Sequence, residues 1–186
     1  MAINSQTRTI SKAFPISFST IAQVLILLIV GFVATWLHYR LRIPMRMPGR
    51  HGLEFMLLLM GARYLSNLRL ASSVTITGSI LITLIPGFGF TDPVLPYIYL
   101  VIGVLIDFVW YVWNNRIRWI PVIAILGGFA YALIPVFRII ISQFAGYYYG
   151  SLATGIFFPI ITHFAFGYVG SLVGLGVASS IRKMKK

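Results

Sequence analysis

Residues 18–37 read FSTIAQVLILLIVGFVATWL, 20 positions without one charged side chain. A helix needs about 20 apolar residues to cross the hydrocarbon core of a bilayer. This run therefore reads as a membrane-spanning helix. The polar residues 1–17 before it hold Arg8 and Lys12 and resemble the basic start of a signal peptide. The apolar run is longer than a signal segment, and no Ala-x-Ala site follows it. The expected element is an uncleaved helix.

The rest of the chain shares this character. Of its 186 residues, 59% are hydrophobic, 15% aromatic and 10% charged, and the mean hydropathy is +0.91. Soluble domains are about a quarter charged, so a water-soluble globular protein is excluded. Disorder is excluded too, because it requires low hydrophobicity. With no cysteine, disulfides, thiolate metal sites and cysteine nucleophiles are absent.

Working outward from 18–37, five more apolar stretches appear, at 52–65, 71–85, 95–113, 119–141 and 151–179. Pro44, Pro48 and Gly49 break the first connection. Pro86-Gly87 and the turn 89–94 break the third, and the polar link 114–118 makes the fourth. The apolar runs do not alternate with period two, so a β-barrel is excluded. The expected fold is all-α, a six-helix transmembrane bundle forming one domain over 1–186.

Lysine and arginine near helix ends set orientation. With both termini cytoplasmic, the inner side collects Arg8, Lys12, Arg63, Arg69, Arg116, Arg118, Arg182, Lys183, Lys185 and Lys186. The outer side collects Arg40, Arg42, Arg46, Arg50 and Arg138. The expectation is N-in and C-in. The net charge of +12 is then mostly a topology signal. No single basic stripe points to nucleic acid.

The first loop departs from the pattern, with four arginines on the outer side. One reading is a grip on lipid phosphates. The other is a vestibule for an anionic or polar solute, since arginine pairs well with carboxylate and phosphate.

Ionisable groups inside a membrane are costly and usually mark a site or a pathway. Asp107 lies deep in the fourth helix, where Gly103, Asp107, Trp110 and Tyr111 share a face. They either line a polar cavity or leave Asp107 as a structural acid bonded to a neighbour. His163 follows Pro159 by four residues in the sixth helix. There a proline break would free a backbone carbonyl beside a cavity, and a packing histidine is the plainer alternative. Arg138, near the outer end of the fifth helix, either snorkels outward or faces the same cavity. Glu54 sits in the first turn of the second helix, where the helix dipole favours an acid. Tyr97, Tyr99 and Tyr147–Tyr149 read mostly as interfacial aromatics, and the Tyr147–Tyr149 run, beside the outer vestibule, reads also as a stacking surface for a solute.

Small residues recur every four positions at Gly31 and Thr35, and again at Gly170, Gly174 and Ala178. Such stripes let helices approach closely, either within the bundle or against a partner membrane protein. No Walker A, H-E-x-x-H or G-x-S-x-G pattern is present. With 3 acidic residues, a multi-carboxylate enzyme is disfavoured. The expectation is a non-enzyme without a cofactor or resident metal.

Three stretches point to a family. Met47-Pro-Gly-Arg-His-Gly-Leu-Glu54 enters a short second helix. Pro86-Gly-Phe-Gly-Phe-Thr-Asp-Pro93 runs on toward Gly103-Val-Leu-Ile-Asp107. The sixth helix closes on a glycine-rich stretch. With six helices, a basic tail and a structured first loop, the chain resembles the substrate-binding S component of energy-coupling factor (ECF) transporters. The resemblance implies capture of a small vitamin-like solute near the outer face of a bacterial cytoplasmic membrane. It also implies partnership with a transmembrane subunit and ATPases. The first loop would be a lid carrying Arg46, Arg50, His51 and Glu54, over a site formed by Asp107, Tyr111, Arg138 and His163. The family docks its partner through an Ala-x-x-x-Ala pattern on the first helix, where this chain has Gly31-Phe-Val-Ala-Thr35. The metal-specific branch carries histidine after the initiator methionine. Ala2 here disfavours nickel and cobalt.

The competing readings are a non-catalytic subunit of a larger membrane complex, using the glycine stripes as contacts, and a small enzyme or ion-coupled carrier using Asp107 and His163. Topology has its own test. A cysteine at position 46 is expected to react with an impermeant maleimide added outside intact cells. Protection there, with labelling from the inside only, would reverse the orientation.

Overall fold

Glycine and proline set where the helices stop. The computed structural model describes residues 18–41, 47–88, 90, 92–113 and 119–184. In chain order they form α1 (Phe18–Arg40), α2 (Gly52–Leu65), α3 (Ala71–Thr83), α4 (Leu95–Trp113), α5 (Ile120–Ala145) and α6 (Phe157–Met184). A 3-10 turn at Gly150–Leu152 separates the last two. No strand occurs among the described residues. The expected ranges 52–65 and 95–113 recur as α2 and α4.

α5 and α6 differ from expectation at their facing ends. α5 continues to Ala145 and is stopped by Gly146, whose φ of 65° is left-handed and whose N–H bonds the Ser142 carbonyl. α6 begins at Phe157 rather than at 151. Pro159 therefore sits in its first turn, where a missing N–H leaves no helical bond unmade. The expected proline break in the middle of α6 does not exist.

Length decides which helices can cross a bilayer. α1, α4, α5 and α6 have 23, 19, 26 and 28 residues and are long and apolar enough to do so. They mark a membrane protein. The 14 residues of α2 and 13 of α3 reach only about 20 Å at about 1.5 Å per residue. The surface fits this reading. Phe18, Phe108, Phe129, Phe144 and Phe157 are all exposed, a costly pattern in water and an ordinary one against lipid tails.

The two short helices lie against long ones, α2 on α6 and α3 on α1. Both seams are backbone to backbone. A Cβ on Gly31 would overlap the Thr75 carbonyl, and one on Gly78 the Leu28 carbonyl. On the other seam, Gly170 meets the carbonyls of Gly52 and Leu53, and Gly174 meets that of Leu57. The Ser79 hydroxyl adds a bond across the first seam to the Gly31 carbonyl at 2.9 Å. Gly31, Thr35, Gly170, Gly174 and Ala178 are all buried. The expected partner surface at these five positions is therefore corrected: Gly31, Gly170 and Gly174 bring the chain's own helices together, and Thr35 and Ala178 are buried within it.

Successive helices run antiparallel, so the bundle has two ends. The upper end gathers the last residues of α1, α3 and α5 with the first of α2, α4 and α6. The lower end gathers the opposite termini. Asp107 locks the lower end. Its carboxylate accepts the backbone N–H groups of Ser72 at 3.0 Å and Ser73 at 2.8 Å, and the Ser73 hydroxyl at 2.7 Å. It thus caps α3 from a neighbouring helix, where the dipole favours an anion. It also pairs with the Arg63 guanidinium at 3.3 Å. Arg63, itself buried, donates to the carbonyls of Leu68 at 2.6 Å and Arg69 at 3.2 Å. One carboxylate therefore joins α2, the loop 66–70, α3 and α4.

Removing it strands a buried cation and two helix-start donors. Asp107→Ala is expected to destabilise the protein by about 3–5 kcal/mol, read as a large drop in unfolding temperature in detergent. The double variant Arg63→Met, Asp107→Leu is expected to recover a good part of the loss. An unchanged melting curve for Asp107→Ala would contradict the lock.

Candidate functional site

The upper end encloses a cavity of about 290 Å³, near the low end of the range for small-molecule sites. Its wall brings together His38 from the end of α1, His51 before α2, Asp92 before α4, Tyr99 from α4, Arg138 from α5 and His163 from α6. Every long helix therefore contributes.

The hydrogen bonds fix the roles of two histidines. His163 Nδ1 lies 2.7 Å from the Pro159 carbonyl. A carbonyl only accepts, so Nδ1 carries the proton and Nε2 presents a lone pair. His163 also stacks on Tyr131, with ring centroids 5.2 Å apart. Gly49 closes over it: this residue has φ of 80°, and a Cβ there would strike the His163 ring. His51 Nδ1 lies 2.6 Å from Glu54 Oε1. Its Nε2 accepts the Arg50 Nε–H at 3.3 Å. Arg50, His51 and Glu54 thus form one chain of bonds across the start of α2.

Two buried polar atoms at this end are unpartnered among the described residues: His38 Nδ1 and Glu54 Oε2. The His38 ring lies on His51, centroids 3.9 Å apart. Buried polar atoms without partners are rare in native proteins, and a bound solute or water would satisfy them.

Arg138 and Asp92 form the charged side of the cavity. Arg138 donates Nη2 to Asp92 Oδ2 at 3.1 Å and Nε to the same oxygen at 3.3 Å. Asp92 Oδ1 accepts the Val94 N–H at 3.0 Å, which turns the chain into α4. Tyr149 lies beneath the Arg138 guanidinium, 5.3 Å from its centre, and its hydroxyl reaches toward Asp92 Oδ1 at 3.5 Å. Burial first, and then the Asp92 carboxylate, push the Tyr149 phenol above its ordinary value. It stays protonated as a donor.

The structure unites Arg50, His51, Glu54, Arg138 and His163 of the expected site. Arg46 lies outside the described residues. Asp107 and Tyr111 do not belong here, which corrects the expected grouping. Asp107 is 12 positions beyond Leu95, the upper end of α4, about 18 Å at the helical rise, and it is committed to Arg63 and α3. Tyr111 is 68% exposed at the lower end. Of the tyrosine run, Tyr148 is exposed and Tyr149 supports Arg138. Among the described residues, no group of three or more acidic or histidine side chains is placed to hold a metal ion.

His38, Asp92, Tyr99 and Tyr131 were not singled out from the sequence as site residues. Asp92 carried a usable signal. The chain has 3 acids, and the topology puts Asp92 and Arg138 on one side of the membrane. A half-buried arginine there had few acids to pair with.

Comparison with protein-family models, with curated proteins and with solved structures finds no match for this chain. The site is known by its geometry: one ion pair, three imidazoles and two buried tyrosines around a small open cavity.

Asp92 holds the turn into α4, Arg138 and the Tyr149 loop at once. Asp92→Asn and Arg138→Lys are both expected to speed amide hydrogen exchange over residues 149–152. Lysine lacks the planar fork and the flat stack on Tyr149. Exchange unchanged in both variants would show that the pair does not order this loop.

Proposed function

We propose that this chain is a solute-binding integral membrane protein of the ECF S-component type. It captures a small vitamin-like solute in the upper cavity. In this reading all six helices form the bundle, the upper end faces outward, and both termini lie in the cytoplasm of a bacterial cell. A transmembrane partner and ATPases would supply the work of transport, because no nucleotide-binding motif is present.

The observation that carries the reading is the upper cavity, where an ion pair, three imidazoles and two tyrosines from five segments meet around about 290 Å³. Membrane proteins rarely keep ionisable groups near the bilayer without use for them. Here donors and acceptors converge from four long helices and from the stretch before α2, the position expected for a lid.

The charges refine the solute class. Arg138 is matched by Asp92, and Arg50 by Glu54 through His51. The cavity is close to electroneutral when the imidazoles are neutral. That favours a polar neutral or zwitterionic solute over a simple anion. Arg138 and Asp92 offer one charge of each sign, and His163 Nε2 is a hydrogen-bond acceptor. The Tyr131 and Tyr99 rings supply flat apolar contact.

The rival reading as a structural subunit drew on the glycine stripes, which are buried in the chain's own seams. A site shared by Asp107 and His163 would need them together, and they lie at opposite ends.

Native mass spectrometry of the gently solubilised protein tests the proposal. A copurified small molecule is expected. Arg138→Gln and His163→Ala should each weaken its binding by roughly 30-fold, the loss of one hydrogen bond to a charged or buried partner. Retention of a stable complex with neither a solute nor an ATPase partner would defeat the transporter reading.

A further inference from the structure

The lower end holds a second cavity, also about 290 Å³, lined by Arg63, Tyr64, Arg69, Trp110, Tyr111 and Arg182, with Ser66 and Asn67 at its rim. Its electrostatics differ in kind from those of the upper cavity. Three guanidinium groups surround it. One carboxylate, Asp107, pairs with one of them at 3.3 Å. The chain's other two acidic side chains, Glu54 and Asp92, belong to the upper end. Two positive charges are therefore left without an acidic side chain.

The cations are held in place. The Arg63 guanidinium lies over the Trp110 ring at 5.0 Å, and that of Arg182 over the Tyr64 ring at 5.3 Å. Arg63 is 6% exposed, and its Nε–H is buried with no partner among the described residues. A buried guanidinium donor left unpaired is expensive, and an anion in the cavity beside this guanidinium offsets part of that cost through its charge. Arg69 and Arg182 are exposed at the rim. Three converging arginine forks, two of them seated on aromatic rings, suit phosphate oxygens better than a single carboxylate.

We propose that this cavity binds a phosphate group bearing no cationic substituent, as an anionic phospholipid headgroup presents it. The geometry favours the lipid source over a soluble phosphate. Tyr111 and Phe108 are 68% and 64% exposed on α4, so one wall of the cavity adjoins the apolar, lipid-facing side of that helix. Basic pockets at the ends of membrane helices commonly take such headgroups. The site is independent of the solute reading for the upper end, since it shares no residue with that cavity.

The test uses the full chain, delipidated in detergent and offered vesicles of phosphatidylglycerol mixed with phosphatidylcholine. Bound lipid is counted by native mass spectrometry. Retention of phosphatidylglycerol over phosphatidylcholine is expected, and it should fall by about fivefold for each of Arg69→Gln and Arg182→Gln. Both residues are exposed, so the fold should survive, and an unchanged melting temperature verifies this. Lys183→Gln, an exposed cation outside the cavity, is expected to leave the preference intact. A second arm replaces lipid with inorganic phosphate. Saturable phosphate binding lost in the same two arginine variants, without any lipid preference, keeps the phosphate site and assigns it a soluble ligand. No preference and no phosphate binding overturns the proposal. So does a preference reduced equally by Lys183→Gln, or a protein partner held by these arginines in place of lipid.

Discussion

A charge inside an apolar bundle must be paired or hydrogen-bonded, and this chain has 3 carboxylates with which to pair 15 cations. Where those carboxylates sit therefore decides where arginine can be buried. Asp107 is placed against Arg63, Asp92 against Arg138, and Glu54 against His51. Each pair lies at a helix end and none at mid-bundle. Between them the core is mainly hydrocarbon, with Phe55, Met56, Leu59, Ile102, Ile106 and Leu175 among its fully buried side chains. The ends are specified by electrostatics and the middle by packing.

The packing has its own constraint. α2 and α3 are too short to span the hydrocarbon core alone, so their polar ends must be satisfied by protein. Glycine makes that possible. At Gly31, Gly78, Gly170 and Gly174 the backbones touch, and the short helices sit close enough for side chains to cap their ends. Asp107 reaches the first turn of α3 from α4 because Gly103, one turn earlier, packs on Ser73 and Ile76 of α3. The seams and the locks are thus one design. A larger side chain on a seam would push the short helix away from the carboxylate that caps it.

The sequence made the helices legible because apolar runs of this length have few alternative readings. α2 and α4 are bounded by proline, glycine and charged residues that leave little choice. The facing ends of α5 and α6 were harder. Ile141 through Ala145 continues an apolar pattern that only the left-handed turn at Gly146 ends, and Pro159 looks like a break until the true start of α6 is known. The site was legible in part. Arg138, His51, Glu54 and His163 stood out as ionisable groups near apolar runs. Asp107 stood out for the same reason and proved to be structural. Depth along a helix does not say which neighbour a side chain faces, and α3 could not be placed beside α4 from spacing alone. The glycine stripes failed as partner signals for the same reason: period four marks a close contact without naming the other helix.

The two cavities have similar volume and opposite electrical character. The upper one balances Arg138 with Asp92 and leaves an unshared lone pair on His163 Nε2. Such a site discriminates by hydrogen-bond pattern and shape, since it offers no net attraction to bring a charged solute in. The lower one leaves the charges of Arg69 and Arg182 without an acid and holds Arg63 over Trp110 and Arg182 over Tyr64. Such a site discriminates by charge and retains whatever anion the surroundings supply. Since Arg63 serves both the lower cavity and the Asp107 lock, an anion bound there shares a guanidinium with the carboxylate that caps α3. Occupancy of the lower cavity therefore bears on the stability of the α2–α3 connection, while occupancy of the upper cavity bears on the loops before α2 and after α5. The same scarcity of acids that fixes the fold thus leaves one cavity balanced in charge and the other with guanidinium charge to spare.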